Sequence, residues 1–326
     1  YLQSEFTIDC KTGEIIIKNI MAKRKNSRIA SKYSIETPDT TFDDVIGFDE
    51  AKEKMRAFID YLKNPEIYEK FCIKPENRLL LCGAPGTGKT FLARAFAGES
   101  KLPFFYISAS EITSQKWAGW GAILLRSLFN EAKNYRPCIL FIDELDALIN
   151  RENLDGGSVS YDATSILNTF LVLLDGINTD YEIMVIGATN KPESLDEALT
   201  RAKRFGTRIN ASYLKYEDRR KLIAKKLEKE LCQDFEAISE AIAVRTAGNI
   251  SPAFIENIIE EAKRQAIIKN RDMLYLDDIS LVIDNLLIGR KTREMSPEYK
   301  RSTAIHESGH ALAVKLMSPR TRISKI

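Results

Sequence analysis

Arg78-Leu79-Leu80-Leu81-Cys82-Gly83-Ala84-Pro85-Gly86-Thr87-Gly88-Lys89-Thr90-Phe91 runs from a short apolar stretch, through a glycine-rich turn, into residues with helical spacing. The apolar run predicts a buried strand, the glycines interrupt it, and residues 91–96 open a helix. The turn fits G-x-x-x-x-G-K-[ST]. In that pattern the glycines let backbone N–H groups close around phosphate oxygens, and the helix N-terminus adds a favourable dipole. Gly83, Ala84, Pro85, Gly86, Thr87, Gly88, Lys89, Thr90 and Phe91 are therefore the expected nucleotide-binding residues. Lys89 is expected to reach the β- and γ-phosphates and the Thr90 hydroxyl to ligate Mg²⁺.

Outward from this stretch, residues 104–107, 138–142 and 183–186 form three more apolar runs with helical segments between them. Strands this apolar, separated by helices, predict an α/β fold with a parallel sheet covered on both faces. After about Tyr213 the strand signal stops, and residues 218–231, 235–247, 252–269 and 276–286 carry helical periodicity. Ser251-Pro252 supplies a cap followed by proline at the first helical position. Upstream, residues 6–9 and 14–20 alternate around Lys11-Thr12-Gly13 as in a hairpin. Residues 21–32 hold five basic side chains and no acidic one, and residues 34–41 continue as a linker. The expected organisation is 1–40 hairpin and basic linker, 41–212 α/β nucleotide-binding domain, 213–290 helical lid, and 291–326 the start of a further domain.

The third run ends Ile142-Asp143-Glu144, bringing two carboxylates to the end of a buried strand beside the phosphate turn. Asp143 is expected to hold Mg²⁺ and Glu144 to orient and polarise the attacking water. The fourth run ends in Asn190, a polar residue placed to sense the γ-phosphate or position water. Arg201 and Arg204 then stand three apart. A guanidinium supplied by a neighbouring subunit stabilises transition-state charge, an effect worth about 10³–10⁵ in rate in related systems.

Composition narrows the rest. Lys+Arg 48 against Asp+Glu 46 leaves a net charge of +2, with 44% hydrophobic residues, so neither disorder nor a bias toward nucleic acid follows. The five cysteines (10, 72, 82, 138 and 232) form no C-x-x-C pair and are expected to be reduced. No run approaches the roughly 18 apolar residues of a membrane span, and no signal peptide opens the chain. Tyr1 at the start suggests a piece of a longer protein, soluble by itself, with any membrane anchor outside it. The only two histidines fall in His306-Glu307-Ser308-Gly309-His310. On a helix, H-E-x-x-H puts both imidazoles on one face, where they can share Zn²⁺, with Glu307 as general base.

From Thr41 onward the chain resembles the FtsH-type AAA+ proteins, membrane-anchored ATP-dependent zinc metalloproteases. The matching stretches are Phe42-Asp43-Asp44-Val45-Ile46-Gly47-Phe48-Asp49-Glu50-Ala51-Lys52, the phosphate turn, Asp143-Glu144, Ala188-Thr189-Asn190-Lys191-Pro192 and the segment from His306 to Leu312. The resemblance implies ATP or ADP bound between the subunits of a homo-hexamer, with adenine near Ile46 and Gly47 and near the lid at Gly248 and Ala253. It implies a pore loop, Trp117-Ala118-Gly119, that grips unfolded or tagged protein substrates; Trp120 is expected to pack in the core instead. It also implies a third zinc ligand downstream of residue 326, anchoring through segments outside this sequence, and a motor and protease on the cytoplasmic or organelle-matrix side. An aromatic pore loop and near-neutral charge speak against nucleic acid as partner. The sequence departs from the family pattern at Thr207, where a second arginine is usual and Arg208 follows, and in the lid, where Gly248-Asn249-Ile250-Ser251-Pro252-Ala253-Phe254 carries one extra residue. A protein-remodelling chaperone with a non-catalytic protease segment is the alternative reading.

Overall fold

The computed structural model describes residues 7–8, 15–16, 34–36, 38–115, 119–148, 157–177, 181–195, 199, 201, 204–228, 232–287 and 297–319. Two compact units divide the chain, 1–212 and 213–326.

In the first unit, β1 (Thr7–Ile8) and β2 (Ile15–Ile16) pair antiparallel, where the sequence predicts a hairpin. The main sheet has six strands: β3 (Ser34–Glu36), β4 (Arg78–Cys82), β5 (Phe104–Ser108), β6 (Cys138–Asp143), β7 (Ile183–Thr189) and β8 (Thr207–Asn210), in the order β3-β5-β6-β7-β4-β8. All pairings are parallel except that of β3 with β5. Because side chains alternate across a strand, each central strand serves two cores. In β6, Cys138, Leu140 and Ile142 join one buried cluster, with helices Trp120–Asn134 and Gly157–Gly176, while Ile139 and Phe141 join the other, with helices Asp49–Lys63 and Lys89–Ser100. Both faces are thus covered, the reason these strands read as continuous apolar runs rather than alternating ones.

Two strands escape the sequence reading. Residues 34–36 are an edge strand, not linker: Ser34 stands opposite Tyr106 and Glu36 opposite Phe104. The segment that follows lies on the helix Lys89–Ser100 at Gly98, where an added Cβ would be 2.0 Å from Thr40 O and 2.6 Å from Pro38 O. Only glycine allows this approach. Strand β8 is also absent from the sequence reading, since Thr-Arg-Ile-Asn carries one core side chain, Ile209. Its pairing with β4 supplies what its composition does not.

The second unit packs helices Tyr216–Leu227, Phe235–Arg245, Pro252–Ile268 and Leu276–Leu287 around Leu222, Ile223, Ile242, Ile258 and Ile283. Ser251 caps the third, its hydroxyl accepting from Phe254 N–H at 3.3 Å. Asp278 is buried and takes hydrogen bonds from Lys269 Nζ at 2.6 Å, Arg271 Nη1 at 2.8 Å and the Tyr275 N–H at 3.3 Å. Burial alone raises its carboxyl, but these donors outweigh burial and hold it below the ordinary Asp value. A depressed folded-state pKa stabilises above the unfolded value, near 4, and that contribution is lost as pH falls through the folded value. Asp278→Asn protein should therefore unfold at lower urea than the unmodified chain at pH 7, with the difference shrinking below about pH 4. Urea midpoints for both proteins at pH 7 and pH 3 measure this, and a constant gap would contradict it.

Candidate nucleotide site and candidate metal helix

The phosphate turn leaves β4 at Gly83, whose absent side chain lets Ala211 lie against it: a Cβ there would be 2.2 Å from Ala211 O. Gly86 (φ 74°) and Gly88 (φ 99°) take left-handed conformations that favour glycine. Gly88 is the N-cap of the helix Lys89–Ser100, and no side chain caps it. Phe48 (φ 60°), just after Ile46 and Gly47, brings its ring to 3.7 Å from where a Gly88 Cβ would stand. Thr87 is buried, its hydroxyl donating to Ala84 O at 2.9 Å, while Pro85 and Gly86 are exposed and Phe91 is exposed on the first turn of the helix.

Lys89 is buried and its ammonium donates to Gly83 O at 2.7 Å, Ala84 O at 2.9 Å and Asn190 Oδ1 at 2.8 Å. Burial pushes its pKa down, against the pull of Asp143 and Asp146. The Thr90 hydroxyl donates to Asp143 Oδ2 at 2.8 Å. A hydroxyl and a carboxylate converging in this way form a hard oxygen donor set, which suits Mg²⁺. Glu144 has φ 54°, its N–H donates to Asp143 Oδ1 at 2.8 Å, and its Oε2 accepts from Ser108 at 2.9 Å and Ser110 at 2.6 Å. The structure thus brings Lys89, Thr90, Asp143, Glu144 and Asn190 to the C-terminal ends of parallel strands, where open α/β sheets bind ligands.

Four contributors were not legible from local pattern. Ser108 and Ser110 flank the start of the helix Ala109–Thr113 and hold Glu144 from 36 and 34 residues away. Asp146 accepts from the Thr189 hydroxyl at 2.9 Å. Asp175 takes both Nε (3.0 Å) and Nη2 (2.7 Å) of Arg204, so this guanidinium has a bidentate partner in its own unit. Arg201 is exposed and its carbonyl accepts from Arg204 N–H. At the departure from the family pattern, the Thr207 hydroxyl donates to Glu76 Oε2 at 2.9 Å, and Arg208 is exposed.

Trp117 and Ala118 lie outside the described residues. Gly119 has φ 75° with open space around it and caps the helix Trp120–Asn134. Trp120 is 39% exposed rather than in the core. It occupies the first helical position, where Gly121 and Ala122 are the buried neighbours, so helix phase turns the indole outward. In the second unit, Gly248 has φ 105° and Ala253 is exposed in the first turn of its helix.

His306, Glu307 and His310 are exposed on one helix, Pro297–Met317. The two imidazole Nε2 atoms face each other at 3.0 Å. Two nitrogens on a tetrahedral zinc at about 2.0–2.1 Å stand about 3.3 Å apart, so the pair fits a shared zinc. Among the described residues no group of three His, Cys, Asp or Glu side chains is placed to hold a metal, nor is any helix long and apolar enough to cross a membrane.

Residues 79–213 match the family model described as ATPase family associated with various cellular activities (AAA). The chain is 39% identical over 295 residues to the ATP-dependent zinc metalloprotease FtsH of Sulfurovum sp. (strain NBC37-1), covering 89% of this chain and 43% of that protein. It is 36% identical over 305 residues to the protein of that name from Aquifex aeolicus (strain VF5), covering 91% and 47%. With the FtsH 2 of Phytoplasma mali (strain AT) the identity is 35% over 325 residues, covering 98% and 46%. The chain spans less than half the length of these relatives.

Proposed function

We infer that this chain, which carries an AAA ATPase domain and is FtsH-like over about nine-tenths of its length, is the motor and the first protease helix of an ATP-dependent zinc metalloprotease. The observation that carries the reading is the convergence of Lys89, Thr90, Asp143, Glu144 and Asn190 at the C-terminal ends of the parallel strands. In this reading Lys89 and the backbone of residues 83–88 bind the phosphates of ATP, and Thr90 with Asp143 holds Mg²⁺. Glu144 takes the proton of the attacking water, Asn190 orients the γ-phosphate, and Arg204 of a neighbouring subunit in a homo-hexamer stabilises the developing charge. Ile46, Gly47, Gly248 and Ala253 are the proposed adenine contacts.

The work of hydrolysis passes to the loop Trp117-Ala118-Gly119, where a large aromatic grips polypeptide without reading its sequence. Substrates are unfolded or tagged proteins rather than nucleic acid. His306 and His310 would hold zinc, together with a ligand downstream of residue 326. When bound, zinc supplies Lewis-acid chemistry at the scissile carbonyl and lowers the pKa of water. Glu307 is the general base beside it. Membrane anchoring is assigned to segments outside this sequence, with motor and protease on the cytoplasmic or matrix side.

The test is casein cleavage and zinc content of the whole protein against its Glu307→Gln variant. We expect cleavage to fall about 10²-fold or more, with zinc retained, because glutamine leaves both imidazoles in place but takes no proton. Cleavage unaffected by the substitution would overturn Glu307 as the general base, whereas an unmodified whole protein that cleaves no casein would favour the chaperone reading.

A further inference from the structure

We propose that Asp146 is a positioning residue of the nucleotide site, acting through Asn190; this rests on the reading of that site as one for ATP. Strand β6 ends in two carboxylates with assigned work, Asp143 and Glu144. The chain then makes a turn, Leu145–Leu148, whose two leucines are buried in the core. That phase turns Asp146 toward the end of the neighbouring strand β7. There its Oδ1 accepts from the Thr189 hydroxyl at 2.9 Å and from the Asn190 N–H at 3.3 Å.

The Thr189 side chain is fully buried. With its proton directed at Asp146, its oxygen is left to accept the Lys191 N–H, at 3.0 Å. One carboxylate oxygen thereby orients the hydroxyl that closes the turn at which β7 stops. At that turn the Asn190 side chain reaches Lys89, its Oδ1 accepting from Nζ at 2.8 Å. The chain of contacts runs from Asp146 to Thr189 and the Asn190 backbone, then to the Asn190 amide, and then to the ammonium that meets phosphate. Asp146, after Asp143, also offsets part of the downward push that burial exerts on the Lys89 pKa. Its contacts therefore bear on where the amide and the ammonium stand when a γ-phosphate is present.

This predicts an effect on discrimination between ATP and ADP. The affinities of the full chain for ATPγS and ADP, each with Mg²⁺, are measured together with ATP turnover for the unmodified protein, Asp146→Ala, Asp146→Asn, Asn190→Ala and the double variant Asp146→Ala/Asn190→Ala. Asp146→Ala is expected to lower the ATPγS-to-ADP preference about tenfold, with turnover falling by a similar factor. Asp146→Asn, whose amide oxygen accepts the same two hydrogen bonds, should recover the preference to within about threefold. In the Asn190→Ala background, Asp146→Ala should cost no more than about twofold further, because the two residues act as one unit.

An unchanged preference in Asp146→Ala overturns the proposal. So do independent, multiplying effects in the double variant, and so does an Asp146→Asn as damaged as the alanine form, which would assign the effect to charge alone. If Asp146→Ala fails to fold, Thr189→Val removes one of the two bonds and should shift the preference about threefold in the same direction; no shift overturns the proposal as well. A chain that binds neither nucleotide overturns the reading of the site itself, and this inference with it.

Discussion

Replacing Glu144 by glutamine is expected to stop ATP turnover while nucleotide stays bound. The two side chains have the same size, and the glutamine carbonyl still accepts from Ser108 and Ser110, which hold the carboxylate at 2.9 and 2.6 Å. The backbone is held too, since the residue 144 N–H donates to Asp143 Oδ1. What is lost is the ability to take a proton from water, and a positioned general base is worth about 10²–10⁴ in rate. Phosphate release should therefore fall by at least about 100-fold with affinity for ATP changed by less than about threefold. A variant that retains a tenth or more of the turnover would mean that another group activates the water.

Lys89→Ala should act one step earlier, on binding. The ammonium is buried and held by Gly83 O, Ala84 O and Asn190 Oδ1, so it stands inside the turn rather than in solvent. Phosphate oxygens offer it charged acceptors in place of neutral ones, and hydrogen bonds to charged groups contribute about 1.5–3 kcal/mol each. Losing two of them corresponds to a drop in ATP affinity of about 10²–10⁴. The Gly83 and Ala84 carbonyls lose a donor but stay half-buried, within reach of water, so the fold should survive. Fluorescent-nucleotide titration with Mg²⁺ reads the affinity, and circular dichroism checks folding. A folded variant that binds within fivefold of the unmodified chain would mean that the backbone amides of the turn suffice.

Much of this site was legible because its parts are local in sequence. The spacing from Gly83 to Thr90 specifies a turn and a helix start within a single stretch, and Asp143-Glu144 follow directly from the strand that carries them. The residues that support them were not. Ser108 meets Glu144 across 36 positions, Asp146 meets Thr189 across 43, and Asp175 meets Arg204 across 29. A serine after a strand, or an aspartate on a surface turn, carries no pattern that names its partner. Trp120 shows the same gap in another form: its type suggested the core, but helix phase, set by the burial of Gly121, Ala122 and Leu125, turned it outward.

The sequence by itself determined the layered α/β sheet, the helical second unit, the phosphate turn and the paired imidazoles of His306 and His310. Each depends on periodicity or spacing within a few turns of chain, and local backbone geometry converts such patterns directly into structure. Only the tertiary structure decided that residues 34–36 and 207–210 are strands, and which carboxylate holds which hydroxyl. Such short segments gain their hydrogen bonds from a partner strand already in place: β5 for the first, β4 for the second. The partner lies far away in the chain, so nothing within the segment itself specifies the pairing.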